Sequence, residues 1–405
     1  MVRSAPSGRR IGLACAGGVV EGAFYEVGAL CALEESVRGL ELNRLHVYVG
    51  VSAGALVAAA LAGGVTARTL CDVVLGRAGG EMDLPPRVLL TPAAGEFARR
   101  LGGLPRIVLR ALREYAANPA DLSLAGALSE LQEALPVGLF DSRPLERWLA
   151  RVLSTAGRTN DFRELETRLR VVAVRLDTSE TVVFGAPGAD HVPISRAVQA
   201  SIALPVLYAP VEIDGAWYID GVARRTLHAS AALEAGADLV FCLNPIVPVD
   251  LRVGGRVDAG ESLVRHGLPA VLSQTLRTMV HSRMSTAFRA YGHTHPDADL
   301  VLIEPEVEDP TLFFSNLFSF SNRFRVCEYG YATTRAFLLR EAERLDPLLR
   351  RHGLELRMDV LRDPARRLAA DGRARGGTAG AAGALDRLDR ALDRLRAALP
   401  ADEGG

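Results

Sequence analysis

The sequence predicts an α/β fold of three layers (α/β/α), in which a mainly parallel central sheet lies between two layers of helices. Short apolar runs at 10–16 and 45–49 alternate with runs at 23–36 and 53–62, which place apolar residues at helical spacing. Such alternation is typical of parallel strands joined by right-handed helical crossovers. Both strand runs are almost entirely apolar, as expected for strands that helices cover on both faces.

The elements further along the chain agree with this class. Ser142 followed by Pro144 predicts the start of a helix. The runs 211–213 and 216–219 flank Asp214-Gly215, a dipeptide that is typical of a tight hairpin turn. Three further apolar runs predict strands at 170–176, 181–185 and 237–245.

Composition predicts how the chain is divided. The parts are an N-terminal tail at 1–9, a main domain at 10–350, a connecting helix and Ala/Gly-rich linker at 351–384, and a short C-terminal amphipathic helix at 385–399. Within the main domain, 66–140 is less regular and is predicted to be a helical insertion or cap. Leucines spaced three and four residues apart in the last helix form one apolar seam. This seam is expected either to dock on its own domain or to mediate self-association.

The charge balance and the cysteines exclude several classes of protein. The 405 residues include 47 basic and 48 acidic side chains, so the net charge is -1 and a nucleic-acid partner is not expected. Five cysteines without C-x-x-C spacing disfavour a disulfide framework and a structural zinc site, and they favour a cytoplasmic protein. The uncharged stretch 47–67 is long enough for a membrane span, but its glycines divide it better into a strand, a turn and a helix.

A G-x-S-x-G motif, Gly50-Val51-Ser52-Ala53-Gly54, lies between a predicted strand and a predicted helix. In that context the motif forms a sharp turn that raises the serine hydroxyl above the edge of the sheet. The amides at the start of the following helix favour negative charge that develops there. We therefore predict Ser52 as a nucleophile, with Gly50 and Gly54 as the small residues of the turn. The alternative is a glycine-rich turn whose serine caps the helix.

A nucleophilic serine needs a group that takes its proton, and the sequence offers two kinds. Asp220 ends a predicted strand and precedes Gly221, at the edge where α/β sheets bind ligands. A carboxylate in a partly desolvated site can stay ionised and basic enough to act alone. The other kind is the histidine of a Ser-His-Asp triad, which comes last in the chain order of α/β-hydrolases; His266, His281, His293 and His295 are possible, though none has a distinctive setting.

A glycine pair, Gly17-Gly18, follows the first predicted strand. Backbone amides at such a turn can stabilise the oxyanion of a tetrahedral intermediate, and the loss of one donor typically costs on the order of 100-fold in rate. The alternative is a tight turn that only leads into the first helix.

Together, the three segments resemble the patatin-like phospholipase family. Its pattern is a glycine-rich loop after the first strand, then G-x-S-x-G, then Asp-Gly-Gly or Asp-Gly-Ala far downstream. The corresponding segments here are 17–22, 50–54 and 220–222, and the stretches 200–205 and 236–238 also resemble familial ones. The resemblance spans residues 10–245, and more loosely continues to 345.

The resemblance implies a patatin-type fold with neither a metal ion nor a cofactor in its catalytic core. It implies that Ser52 is the nucleophile, that Asp220 is the general base, and that the amides of Gly17, Gly18 and Val19 form the oxyanion hole. The expected substrate is a lipid or another acyl ester, and the expected activity is that of a serine lipid acyl hydrolase of the phospholipase A or esterase type. Three alternatives stay open: an acyltransferase or polyester hydrolase with the same dyad, a non-catalytic binding protein, and a histidine-dependent hydrolase.

Three positions depart from the family pattern. Where the family loop carries a third glycine and a basic residue, this chain has Val19 and Glu21. Because valine disfavours a positive φ, we expect a β-like backbone at Val19. The charge of Glu21 should weaken the attraction for an anionic headgroup. The third motif ends in Val222, in place of glycine or alanine.

An aromatic stretch at 311–324 holds five of the 13 phenylalanines. It predicts an acyl-chain channel or a lip that touches a membrane peripherally, and the alternative is a core plug. The phenylalanines are Phe313, Phe314, Phe318, Phe320 and Phe324.

Overall fold

The structure is a computed structural model that describes residues 10–99, 102, 136–251, 262–305 and 322–368. Its main feature is an eight-stranded sheet. The strands are β1 (Ile11–Cys15), β3 (Val47–Val51), β5 (Arg168–Arg175), β6 (Thr181–Phe184), β8 (Val211–Ile213), β9 (Ala216–Asp220), β10 (Leu239–Leu243) and β11 (Asp299–Ile303). Their order is β11-β10-β1-β3-β5-β9-β8, with β6 paired to β5. The five strands from β11 to β5 are parallel, so the prediction of a mainly parallel sheet is confirmed.

Helices cover both faces of this sheet. The helices are α1 (Val19–Ser36), α2 (Ala53–Ala62), α3 (Ala67–Val74), α4 (Pro86–Leu89), α5 (Arg143–Leu153), α6 (Ile194–Ser201), α7 (Ala229–Glu234), α8 (Gly267–Thr294), α9 (Arg323–Arg340), α10 (Ala342–Arg351) and α11 (Met358–Leu361). Side chains of one strand alternate between two apolar clusters, as Leu13 and Ala14 show. Leu13 faces α1, α2, α5 and α9, while Ala14 faces α7 and α8. The three predicted layers are therefore present.

Short strands complete the fold outside the main sheet. Strand β4 (Gly138–Phe140) pairs with β7 (Val206–Tyr208), and β2 (Val37–Arg38) pairs with β12 (Glu355–Leu356). Through β12, residues 351–368 continue to pack on the same body. Arg335 of α9 also holds this segment, because its guanidinium donates to the carbonyls of Val360 and Asp363.

Strands β3 and β9 meet end to end on one edge of β5. Strand β5 pairs with β3 through 168–172 and with β9 through 173–175, while β6 occupies its other edge. Val51 at the end of β3 pairs with Val172, and Asp220 at the end of β9 pairs with Ala173. Ser52, which follows β3, therefore reaches the same level of the sheet as Asp220, although the two strands run in opposite directions.

Several elements differ from the sequence prediction. Strand β3 lies at 47–51 and not at 45–49, and α1 begins at residue 19 and not at 23. The 28-residue helix α8 and strand β11 were not predicted. Residues 103–135 of the predicted helical insertion, the Ala/Gly-rich part of the linker at 369–384 and the helix at 385–399 lie outside the described residues. Among the described residues, no helix combines the length and the apolarity that crossing a membrane requires.

Candidate active site

The turn between β3 and α2 carries Ser52 in a strained backbone conformation. Its φ is 54° and its ψ is -127°, a combination that L-residues rarely adopt. The flanking glycines make this turn sterically possible. A Cβ added at Gly50 would lie 2.4 Å from the Cα of Ala55, and one added at Gly54 would lie 2.5 Å from the carbonyl oxygen of Ala16. The G-x-S-x-G motif therefore forms the sharp turn that the sequence predicts.

Asp220 ends β9 opposite this turn, and its side chain is fully buried. Oδ1 accepts a hydrogen bond from the Val222 amide at 2.9 Å. Gly221 has no room for a side chain, because an added Cβ would lie 2.6 Å from the Val172 carbonyl oxygen. The Asp-Gly pair is thus required by the close approach of the chain to β5.

Burial raises the pKa of the Asp220 carboxyl to about 7, and the nearby Ser52 hydroxyl and the Val222 amide oppose this rise. Among the described residues, no group is aligned for a hydrogen bond to Asp220 Oδ2. The Ser52 hydroxyl lies close enough to affect the pKa of the carboxyl, but it is not well aligned with it in this conformation. Such bonds are often long before substrate binds and tighten in the complex. A carboxyl with this pKa can exchange a proton with a hydroxyl near neutral pH.

Ser201, at the end of α6, links the nucleophile turn to the central sheet. Its Oγ accepts from the Ser52 amide at 2.8 Å and donates to the Val172 carbonyl at 2.6 Å. Two residues later, the Ala203 carbonyl accepts from the Asp220 amide at 3.0 Å. The segment 200–205, which resembles a familial stretch, therefore holds the backbone of both predicted catalytic residues.

Replacing Ser201 with alanine should lower kcat about tenfold with little change in KM, because the Ser52 turn loses its anchor. It should also lower the free energy of unfolding by roughly 1–3 kcal/mol, because a buried amide is left without an acceptor. Both constants are measured with a water-soluble ester, and the free energy by urea denaturation.

Ser195 on the same helix provides a matched control for this variant. It is equally buried, and its hydroxyl bonds Glu146 and Asn160 instead of the turn. Ser195→Ala should therefore lose stability but keep kcat. An equal loss of kcat in both variants would show that Ser201 acts only through stability.

Gly17 packs against the predicted nucleophile. A Cβ added there would lie 3.0 Å from the Ser52 Cβ and 2.3 Å from a methyl carbon of Val222. The Gly17 amide itself donates to the Thr226 carbonyl at 3.1 Å, so it is not available to an oxyanion in this conformation. Of the three predicted donors, Gly18 and Val19 therefore stay the candidates in this conformation. Within the described parts of the chain, neither of their amides donates to a backbone carbonyl.

The expectation of a β-like backbone at Val19 is wrong. Its φ is 54°, in the left-handed region, and it is the first residue of α1. This conformation costs an L-residue roughly 1–2 kcal/mol, because Cβ approaches the following carbonyl oxygen. The loop therefore holds a valine in a backbone conformation that normally favours glycine.

The negative charge of Glu21 lies near a cation that sequence reasoning missed. Glu21 is buried in the first turn of α1, and Arg277 of α8 is buried within range of its charge. Burial lowers the pKa of Arg277, and the charge of Glu21 opposes that change. Arg277 also donates to the Val247 carbonyl at 3.2 Å. Charge at the oxyanion loop thus depends on both residues, which are far apart in the sequence.

The predicted substrate-channel residues fall almost entirely outside the described part of the chain. Phe313, Phe314, Phe318 and Phe320 lie outside the described residues. Phe324, the last phenylalanine of the aromatic stretch, lies at the start of α9 and is 45% exposed. Among the described contacts of Ser52 and Asp220, none involves a histidine, so the geometry favours the carboxylate as the base.

Three solved structures are similar to this chain at low sequence identity. VipD from Legionella pneumophila is 17% identical; the match covers 83% of this chain and 67% of VipD, with a TM-score of 0.39. The type III effector protein ExoU is 16% identical, with coverage of 83% and 54% and a TM-score of 0.35. Full-length ExoU from Pseudomonas aeruginosa, solved in complex with SpcU, is 18% identical, with coverage of 70% and 53% and a TM-score of 0.26. The match thus spans about half the length of ExoU.

A family model described as patatin-like phospholipase matches residues 13–233. The matched region begins in β1 and ends in α7, so it contains the glycine loop, the Ser52 turn and Asp220. Because it covers more than half of the 405 residues, the chain belongs to the patatin-like phospholipase family.

Proposed function

We propose that the chain is a serine lipid acyl hydrolase of the phospholipase A or esterase type, with Ser52 and Asp220 as its catalytic dyad. The observation that carries this proposal is the meeting of a strained serine turn with a fully buried carboxyl whose pKa is about 7. Membership of the patatin-like phospholipase family supports a lipid ester as the substrate.

In the first half-reaction, Ser52 Oγ attacks the carbonyl carbon of the ester while its proton moves to the Asp220 carboxylate. The carbonyl π electrons move to the oxygen, and the Gly18 and Val19 amides donate to the resulting oxyanion. When the tetrahedral intermediate collapses, the bond to the alcohol breaks and Asp220 returns the proton to the leaving oxygen. The acyl group stays on Ser52.

In the second half-reaction, water takes the place of the alcohol. Asp220 accepts a proton from the water, whose oxygen attacks the acyl carbonyl carbon. Collapse of the second intermediate breaks the bond to Ser52 Oγ, and the proton passes from Asp220 to the serine. The fatty acid leaves, and both side chains regain their starting states.

Labelling with a fluorophosphonate, read out by intact mass, tests this proposal. We expect one adduct per chain, which maps to Ser52 on peptide analysis. Prior incubation with a phospholipid or a long-chain ester should slow the labelling and release fatty acid. Added glycerol that receives the acyl group in place of water would indicate acyl transfer. A folded protein that forms no adduct and releases no acid would refute the hydrolase proposal.

A further inference from the structure

The outer face of α8 is unusually apolar in the first half of the helix. Three leucines lie one turn apart on this face and are 49–69% exposed to solvent, namely Leu268, Leu272 and Leu276. Met279 continues the row and is 48% exposed. The hydroxyl of Thr275, an exposed residue on the same face, donates back to the Val271 carbonyl. We call Leu268, Leu272, Leu276 and Met279 the apolar row.

The charge of this helix has one sign. The chain has almost equal numbers of basic and acidic residues, yet no Asp or Glu occurs from 262 to 296, and α8 itself contains three arginines. A basic helix with an exposed apolar face is typical of contact with a membrane surface. One of the three, Arg283, lies one turn after Met279 on the same face.

Arg283 also lines a groove of about 530 Å³, together with Arg224 and Arg225. Apolar side chains, including Val174 and Ile219, form the rest of the lining, and no acidic side chain contributes to it. We call this the arginine groove. Within the described part of the chain, the three guanidinium groups make no hydrogen bond or ion pair with another protein group. Burial lowers the pKa of His228, and the positive charges of Arg225 and Arg224 lower it further, to about 4.

The arginine groove is separate from the dyad but close to it in the fold. Val174 and Ile219 pair with each other on β5 and β9, one position away from Ala173 and Asp220. Since side chains alternate along a strand, the groove opens on the face opposite to the Asp220 carboxyl. The segment 221–226 connects the two places, and its Thr226 carbonyl binds the Gly17 amide.

We propose that the apolar row and the arginine groove together form a contact surface for an anionic phospholipid bilayer. The apolar row would enter the acyl region of the outer leaflet, while the guanidinium groups would bind lipid phosphates, which suit their paired donors. The buried face of α8 carries Arg277, whose charge interacts with that of Glu21 in the first turn of α1, so α8 would link the contact surface to the helix that follows the oxyanion loop. The inference extends the proposed lipid acyl hydrolase activity, but binding alone tests it.

Flotation of the full chain with vesicles measures this contact. We expect binding to vesicles of phosphatidylcholine mixed with phosphatidylserine, and much weaker binding to phosphatidylcholine alone. Each arginine near an anionic surface contributes a factor of about five to binding. Arg224→Gln combined with Arg283→Gln should therefore weaken binding about 25-fold at low salt. Leu272→Ser combined with Leu276→Ser should weaken binding to a similar degree, and high salt should not restore it.

Matched controls remove the same chemistry elsewhere. Arg147→Gln combined with Arg151→Gln removes two exposed arginines of α5, and Leu339→Ser removes an exposed leucine of α9. These controls should bind as the wild type does. All variants should keep the circular dichroism spectrum and the turnover of a water-soluble ester.

Several results would overturn the proposal. They are no binding by the wild type, equal binding to both kinds of vesicle, or an equal loss in the control variants. A dimer in light scattering that the Leu272 and Leu276 changes dissociate would instead assign the apolar row to a second copy of the chain. Vesicle binding without ester turnover would refute the proposed activity and leave the contact surface intact. Ester turnover without vesicle binding would refute the contact surface and leave the proposed activity intact.

Discussion

Replacing Ser52 with alanine should lower kcat/KM for ester hydrolysis by at least about 10⁴-fold, because no other group can form the acyl-enzyme. The same variant should form no fluorophosphonate adduct. The turn itself should survive, since alanine differs from serine only by the lost hydroxyl and Gly50 and Gly54 still provide the space around it. Hydrolysis of a water-soluble chromogenic ester measures the effect on rate.

Ser154 supplies the control for this experiment. It is an exposed serine at the end of α5, and Ser154→Ala should keep full activity. Ser52→Gly is a second useful variant, since glycine adopts a φ of 54° without strain and should keep the fold while it removes the nucleophile. Substantial hydrolysis by either Ser52 variant would assign the reaction to another residue.

Replacing Asp220 with asparagine should lower kcat on the order of 10³-fold, because an amide cannot take the serine proton. In the wild type, the carboxyl must be ionised to act as a base. Since its pKa is about 7, kcat/KM should be small at acidic pH and rise to a plateau above about pH 8. The residual activity of Asp220→Asn should lack this step in its pH profile.

The same substitution should make the protein more stable at alkaline pH. The folded carboxyl holds its proton up to a pH of about 7, whereas in the unfolded chain it loses the proton near 3.8. Between these values the folded state binds more protons, so the contribution of Asp220 to the free energy of unfolding falls as the pH rises. Above the folded pKa the buried charge costs on the order of 4 kcal/mol, which asparagine avoids. Urea denaturation should therefore separate the two proteins strongly at about pH 8 and much less at about pH 5.

Asp214 offers a close control, because it also precedes a glycine but lies in the exposed hairpin turn between β8 and β9. Asp214→Asn should keep both the activity and its pH profile. If Asp220→Asn retained the wild-type profile, the base would have to be a different group, and the next candidates would be His266, His281, His293 and His295.

Local patterns predicted much of the fold correctly. Helix α2 lies at 53–62, as predicted, because its small apolar residues leave no polar face that could compete for burial. The predicted strand at 45–49 lies two residues before β3, because the sequence pattern puts Gly50 in the Ser52 turn. In the structure Gly50 continues the strand, and its missing side chain lets α2 approach closely.

Helix α8 escaped prediction for a physical reason. One face is buried against the sheet, but the opposite face carries leucines as well, so apolar residues show no clear helical period along the sequence. Ser201 and Arg277 were missed for a different reason. Ser201 lies in the stretch 200–205 that resembles a familial one, but its bond to the Ser52 amide spans 149 positions, so the sequence does not reveal its role. Arg277 is affected by the charge of Glu21 across a still longer stretch, and no local pattern marks it.

The prediction of a β-like backbone at Val19 is wrong because it rests only on the intrinsic preference of valine for a negative φ. The loop between β1 and α1 is fixed on both sides, by the Thr226 carbonyl at Gly17 and by the close packing of Gly18 on Gly22 and Pro245. These contacts hold Val19 in a conformation that it would not choose alone. Tertiary structure thus overrides a preference of roughly 1–2 kcal/mol.

The end-to-end meeting of β3 and β9 also determines when, on the proposed mechanism, the protein would become reactive during its synthesis. Ser52 leaves the ribosome long before Asp220, and β5, on which the two strands meet, is made between them. Contacts of such long sequence separation close late, because the chain must first lose the entropy of a large loop. A nascent chain that ends before β9 therefore carries a serine without its base. On the proposed mechanism, the dyad is therefore complete only once six of the eight strands of the sheet have been synthesised.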